Sequence, residues 1–75
     1  MTFDECCMEV LRASRENPKN SGLRYASAYA NAGIGMTGEE RRVQALYIIN
    51  NLQTWRGDRA REVKAQFKLF GERTR

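Results

Sequence analysis

Histidine is missing from these 75 residues altogether, and cysteine occurs only as the adjacent pair Cys6 and Cys7. The first absence removes the commonest general base and the usual zinc-binding imidazole; the second leaves no paired-cysteine spacing for zinc or an iron–sulfur cluster. Neighbours on a helix point about 100° apart, so Cys6 and Cys7 are poorly placed to bridge each other, and two small buried thiols are expected. The glycines are isolated and form no phosphate-cradling loop, and no serine, tyrosine or carboxylate stands at a helical spacing that would pair a nucleophile with a base. A protein without catalytic, cofactor-binding or metal-binding residues is the expectation. Proline occurs once, at Pro18, and no strand-like alternation, internal repeat or low-complexity segment is visible. No run approaches the roughly 18 apolar residues of a membrane span, and the amino terminus lacks the basic-then-apolar pattern of a signal peptide. No membrane association and a cytoplasmic location are therefore expected.

What the chain does have is enough length for one domain, spanning residues 1–75, and a charge that is unevenly placed. Residues 1–53 carry six cations (Arg12, Arg15, Lys19, Arg24, Arg41, Arg42) against six acids (Asp4, Glu5, Glu9, Glu16, Glu39, Glu40). The whole net charge of +4 lies beyond them, where Arg56, Arg59, Arg61, Lys64, Lys68, Arg73 and Arg75 face only Asp58, Glu62 and Glu72. Such an asymmetry suggests an anionic partner or a solubilising tail.

The pattern predicts an all-α fold, a small four-helix domain with helices at about 2–16, 21–32, 38–55 and 58–70. Thr2 and Glu5 read as a capping box for the first helix, which Asn17-Pro18 ends. Ser21 is the expected cap of the second, an alanine-rich helix with Tyr25 and Tyr29 one turn apart. Thr37 and Glu40 read as a second capping box, opening a long, central, apolar third helix. At about 100° per residue, Ala45, Leu46, Ile48, Ile49, Leu52 and Trp55 share an arc, while Val43 and Tyr47 lie beyond Asn50, and Gln44 and Asn51 form the polar strip. Gly57 ends this helix and Asp58 is placed to cap the last, where Ala60, Val63, Phe67 and Phe70 form the buried stripe and Leu69 points away from it.

Two surfaces are candidates for binding. Arg61, Lys64 and Lys68 follow at i, i+3 and i+7 on one flank of the last helix, with Arg56 and Arg59 at its start, so the five form a candidate anion-binding set. An exposed charge row is also an ordinary solvated face. A helix-turn-helix reading has weak support, because only Arg59 and Gln66 could reach base edges. Trp55 is expected in the core, with a stacking pair of Trp55 and Arg56 as the alternative. The second surface is Val43, Tyr47 and Asn50: a third helix apolar on most of its circumference exceeds what so short a chain covers easily, and a homodimer through these residues is expected.

The stretch "RVQALYIINNLQTWRGDRAREVK", Arg42 to Lys64, with "YASAYANAG", Tyr25 to Gly33, before it, resembles a recurring type of small bacteriophage or prophage protein. The resemblance covers about half the chain and rests on "NLQTWRG" and "AREVK". It implies a short helical accessory protein of a virus or integrated element acting inside a host cell, and it transfers no functional residues. The expectation is a non-catalytic protein-interaction module with a host or phage protein as partner; a nucleic-acid-binding protein using the basic last helix is the alternative.

Overall fold

The structure, a computed structural model, describes residues 1–72; Arg73 and Arg75 of the basic tail lie outside the described residues. Four helices form, as expected for a small all-α domain: α1 (Phe3–Glu16), α2 (Ser21–Gly33), α3 (Gly38–Asn50) and α4 (Asp58–Gly71). The capping box of α1 is complete. Glu5 N–H donates to Thr2 Oγ1 at 3.1 Å and Thr2 N–H donates to Glu5 Oε1 at 2.7 Å, so two amides without helical partners are satisfied at once.

The next two caps differ from expectation. Asn20, not Ser21, caps α2: its Oδ1 accepts from Leu23 N–H at 3.1 Å and also from the Thr54 hydroxyl at 3.0 Å. One amide oxygen thus starts a helix and ties it to the α3–α4 turn. Thr37 precedes α3 but makes no side-chain cap. Gly38, the first residue of α3, takes a φ of 62°, a left-handed step that departs from the backbone geometry of a regular capping box.

The third helix stops at Asn50 instead of reaching Trp55. Asn51 causes this by substituting one donor for another. Its side-chain amide donates to Tyr47 O at 3.0 Å, and its backbone N–H goes to Ile48 O instead. The spacing tightens from i−4 to i−3, and Leu52 N–H to Ile49 O and Trp55 N–H to Leu52 O continue it. Leu52 and Trp55 therefore still reach the core, from tight turns. Gly57 then adopts φ 117°, which favours glycine, and stands as the N-cap position itself, so Asp58 is the first helical residue and not the cap.

Each helix packs on two others. The contacts run α1 to α2, α2 to α3, α3 to α4 and α4 back to α1, with none across either diagonal. Contacts such as Asp4 to Gly35, Tyr29 to Gln44 and Arg42 to Gly71 place the start of each helix beside the end of its neighbour, so the ring is antiparallel throughout. Its radius of gyration, 11.1 Å, matches the about 11 Å of a globular domain this long.

One face of each helix fills the ring. Phe3, Cys6, Cys7 and Val10 from α1 meet Leu23, Ala26 and Ala30 from α2, then Ala45 and Ile48 from α3, then Ala60, Val63 and Phe67 from α4. The buried face of α3 is rotated from the expected one. Gln44, placed in a polar strip by periodicity, is buried, while Leu46 is exposed. The reason is a partner: Gln44 Nε2 donates to Tyr29 O at 2.7 Å, so its amide is satisfied where α3 meets α2.

Trp55 is buried at the foot of the ring, and Arg56 beside it is exposed. Trp55→Ala is expected to lower unfolding free energy by about 3–5 kcal/mol, whereas Arg56→Ala changes it by under about 0.5 kcal/mol. Denaturant melts followed by circular dichroism check both; an unchanged Trp55→Ala midpoint would remove the residue from the core.

Candidate functional site

Helix α4 has two flanks on either side of its buried stripe, and the structure uses them differently. Arg59 lies on the flank facing α1. Its Nη2 donates to Glu9 Oε1 at 2.6 Å and its Nη1 to Glu62 Oε2 at 3.4 Å. Glu9 also faces Arg12 at 3.7 Å. The Arg59 guanidinium, first among the causes, holds the Glu9 carboxyl below its usual range, and Arg12 adds to this. Arg59 is thus a strut between α1 and α4, and the structure separates it from the other four candidate cations.

On the opposite flank Arg61 and Lys68 are exposed and Lys64 is half-buried. Arg56, from the turn, meets Arg61 and Lys64 around one groove that Gln53, Trp55 and Gly57 complete. Lys68 stands further along α4, outside this groove. Among the described residues the ion pairs are Arg12–Glu9, Arg42–Glu39, Arg59–Glu9 and Arg59–Glu62, so Arg56, Arg61, Lys64 and Lys68 have no carboxylate within 4.0 Å. Arg41 of α3 lies over the Phe70 ring, 5.2 Å from its centroid.

The second surface lies on the α2–α3 side. Val43 is half-buried, and Tyr47 and Asn50 are exposed on the outward side of α3. The Tyr47 ring stacks on Tyr29 of the same chain, with centroids 5.6 Å apart and planes at 28°. Tyr25 one turn away is 63% exposed, against 41% for Tyr29 and 49% for Tyr47. Sequence periodicity placed Tyr25 and Tyr29 on one face of α2; that α3 would lie beside that face, and join them to Tyr47, was not readable from it.

Cys6 and Cys7 are fully buried in α1. Burial, the largest cause, pushes the Cys6 thiol up to about 11 and that of Cys7 to about 12. Nucleophilic thiolate is therefore scarce at neutral pH. Among the described residues no cluster of His, Cys, Asp or Glu could hold a metal ion, and no helix is long and apolar enough to cross a membrane.

No protein-family model matches this chain, and neither characterised proteins nor solved structures yielded a similar one.

Two measurements check this description. Native Cys6 and Cys7 are expected to resist a thiol-specific reagent at pH 7 and to react on unfolding; rapid labelling of the folded chain would contradict their burial. Glu9 has a folded-state pKa below its unfolded value. Its contribution is therefore complete above about pH 4.3, the ordinary carboxylate value, and is lost as pH falls through the lower folded value. Thermal melts across pH 2–6 should show a shallower acid-side loss in Arg59→Ala than in the wild type. Identical acid limbs would mean that the bridge adds no pH-dependent stability.

Proposed function

We propose that this chain is a non-catalytic protein-interaction module and that its first partner is a second copy of itself. The observation that carries this is the tyrosine face of α2 and α3. Tyr25, Tyr29 and Tyr47 leave large aromatic side chains exposed on one side of a very small domain. Tyrosine supplies much contact area for little side-chain entropy and is enriched among residues that dominate protein interfaces.

Charge favours a second copy over a charged partner. The segments that carry the tyrosines, Tyr25 to Gly38 and Val43 to Trp55, contain no Asp, Glu, Lys or Arg; Glu39 and Glu40 stand beside Val43, at one end of the face. A two-fold contact brings each patch against itself, which costs no like-charge repulsion when the patch is neutral. Val43, Tyr47 and Asn50, at i, i+4 and i+7 of α3, are the proposed contact. Because Tyr47 is stacked on Tyr29, the partner meets the pair as one platform, and paired Asn50 amides set the register. This reading agrees with the phage or prophage accessory role that the resemblance implies, in which the work is done by contact and not by chemistry.

Light scattering at micromolar concentration is expected to give twice the chain's 8.6 kDa. Tyr47→Glu should weaken association by about thirtyfold or more while leaving the helical circular dichroism spectrum in place. A wild-type mass that stays at one chain over the accessible concentration range ends the proposal.

A further inference from the structure

The groove around Arg56, Arg61 and Lys64 is not used by the tyrosine face, and it has a chemistry of its own. Its lining is Gln53, Trp55, Arg56, Gly57, Arg61 and Lys64, and its volume is about 250 Å³. That lies below the roughly 300–1,000 Å³ of pockets that enclose drug-sized ligands. Such a groove takes a compact charged group, not a whole organic molecule.

Three cations converge there with no anion among them. Arg42 and Arg59 each reach a carboxylate, and Arg41 rests on an aromatic ring. Arg56, Arg61 and Lys64 have no such partner among the described residues. Holding like charges around one concavity is unfavourable until an anion enters and is shared between them. Two of the three are arginines, whose planar forks match phosphate oxygens, and Gln53 offers a neutral amide donor.

Lys68 indicates that the anion is a chain and not a single ion. It follows Lys64 by four residues on the same flank, about 6 Å along the helix axis, and it is exposed and unpaired among the described residues. A strand seated in the groove by one phosphate would bring its next phosphate to Lys68. Trp55 lines the groove but is only 9% exposed, which leaves too little of its ring for a base to stack on, and the exposed tyrosines lie on the α2 side of α3. We infer that Arg56, Arg61 and Lys64, continued by Lys68, form a site for the phosphodiester backbone of a nucleic acid, bound without base readout.

The chain's only tryptophan lines the groove, so its fluorescence reports occupancy directly. The test is titration of the full chain with a labelled oligodeoxynucleotide, single-stranded and duplex, followed by anisotropy and by Trp55 emission. The expected result is binding with little dependence on base sequence, weakening about twelvefold between about 50 and 200 mM salt for two phosphates contacted on duplex, one in the groove and one at Lys68. The combined change Arg56→Ala, Arg61→Ala and Lys64→Ala should abolish it. Arg56 and Arg61 are exposed and Lys64 is half-buried, and an unchanged melt would establish that the variant folds. Removing the same charge elsewhere, by Arg15→Ala, Lys19→Ala and Arg24→Ala, should leave affinity within about threefold. Equal loss in both triple variants would reduce the effect to net charge and overturn the site, as would full-strength binding by the groove variant or salt-independent binding. A poly-glutamate peptide that competes as well as the oligonucleotide would overturn the assignment to phosphate. The dimer proposal depends on none of these outcomes, because Tyr47→Glu does not touch the groove.

Discussion

Phe3 holds the ring of helices shut at one end. Its ring meets Phe67 edge-on with centroids 5.8 Å apart and Phe70 at 5.5 Å, both near-perpendicular, the geometry that sets a positive ring edge against a negative face. Its far edge also lies 3.3 Å from the place where a side chain on Gly33 would begin, so α2 comes close only because that residue is glycine. One side chain therefore joins α1, α2 and α4, and Arg41 over Phe70 attaches α3 to the same cluster. The Thr2–Glu5 box beneath it has a role beyond local capping, since fraying of that first turn would withdraw Phe3 from all of these contacts.

A ring in which every helix has only two neighbours leaves the outward half of each helix to solvent. What occupies those outward halves decides what the molecule offers a partner. On α1 and on the near flank of α4, charges of both signs meet and are neutralised through Glu9, Arg12 and Arg59. Where α2 and α3 meet, the tyrosines stand clear of charge: Tyr25 to Gly38 and Val43 to Trp55 contain no Asp, Glu, Lys or Arg, and the charges of these helices are Arg24 and the first turns of α3, Glu39 to Arg42. On the far flank of α4 there is positive charge without compensation among the described residues. The surface is thus divided into a self-satisfied side, a neutral aromatic side and a basic edge.

Features that depend on residues three or four apart were legible in the sequence: the α1 capping box, the existence of four helices, the burial of Cys6, Cys7 and Trp55, and the exposure of Leu69. Those that depend on a choice between partners were not. Asn51 has two donors, and which of them takes Tyr47 O decides where α3 ends. Gln44 is polar by type, yet its place in the core was set by a carbonyl on another helix, that of Tyr29. Arg59 and Arg61 are both basic residues of one helix, and periodicity assigns them opposite flanks without saying which flank faces Glu9. Ring order decides that, and ring order is a long-range property. The candidate sites were accordingly half legible: the residue types and their spacing could be read, but not which cation was already taken or which tyrosines would meet.

The neutral face lies along α3, and the basic groove lies beyond the end of that helix, at the turn into α4. Tyr47 reaches toward α2, while the residues following α3, Gln53 and Trp55, line the groove beside α4. A two-fold contact through the outward side of α3 would therefore bury the neutral surface and leave both grooves open on one body. Two such grooves would add their fields, and a strand held by one would find the other at a raised effective concentration. Neither effect requires a new contact within the chain. Association would also stabilise a domain too small to bury much of its own surface, since a partner that binds only the folded form shifts the folding equilibrium toward it.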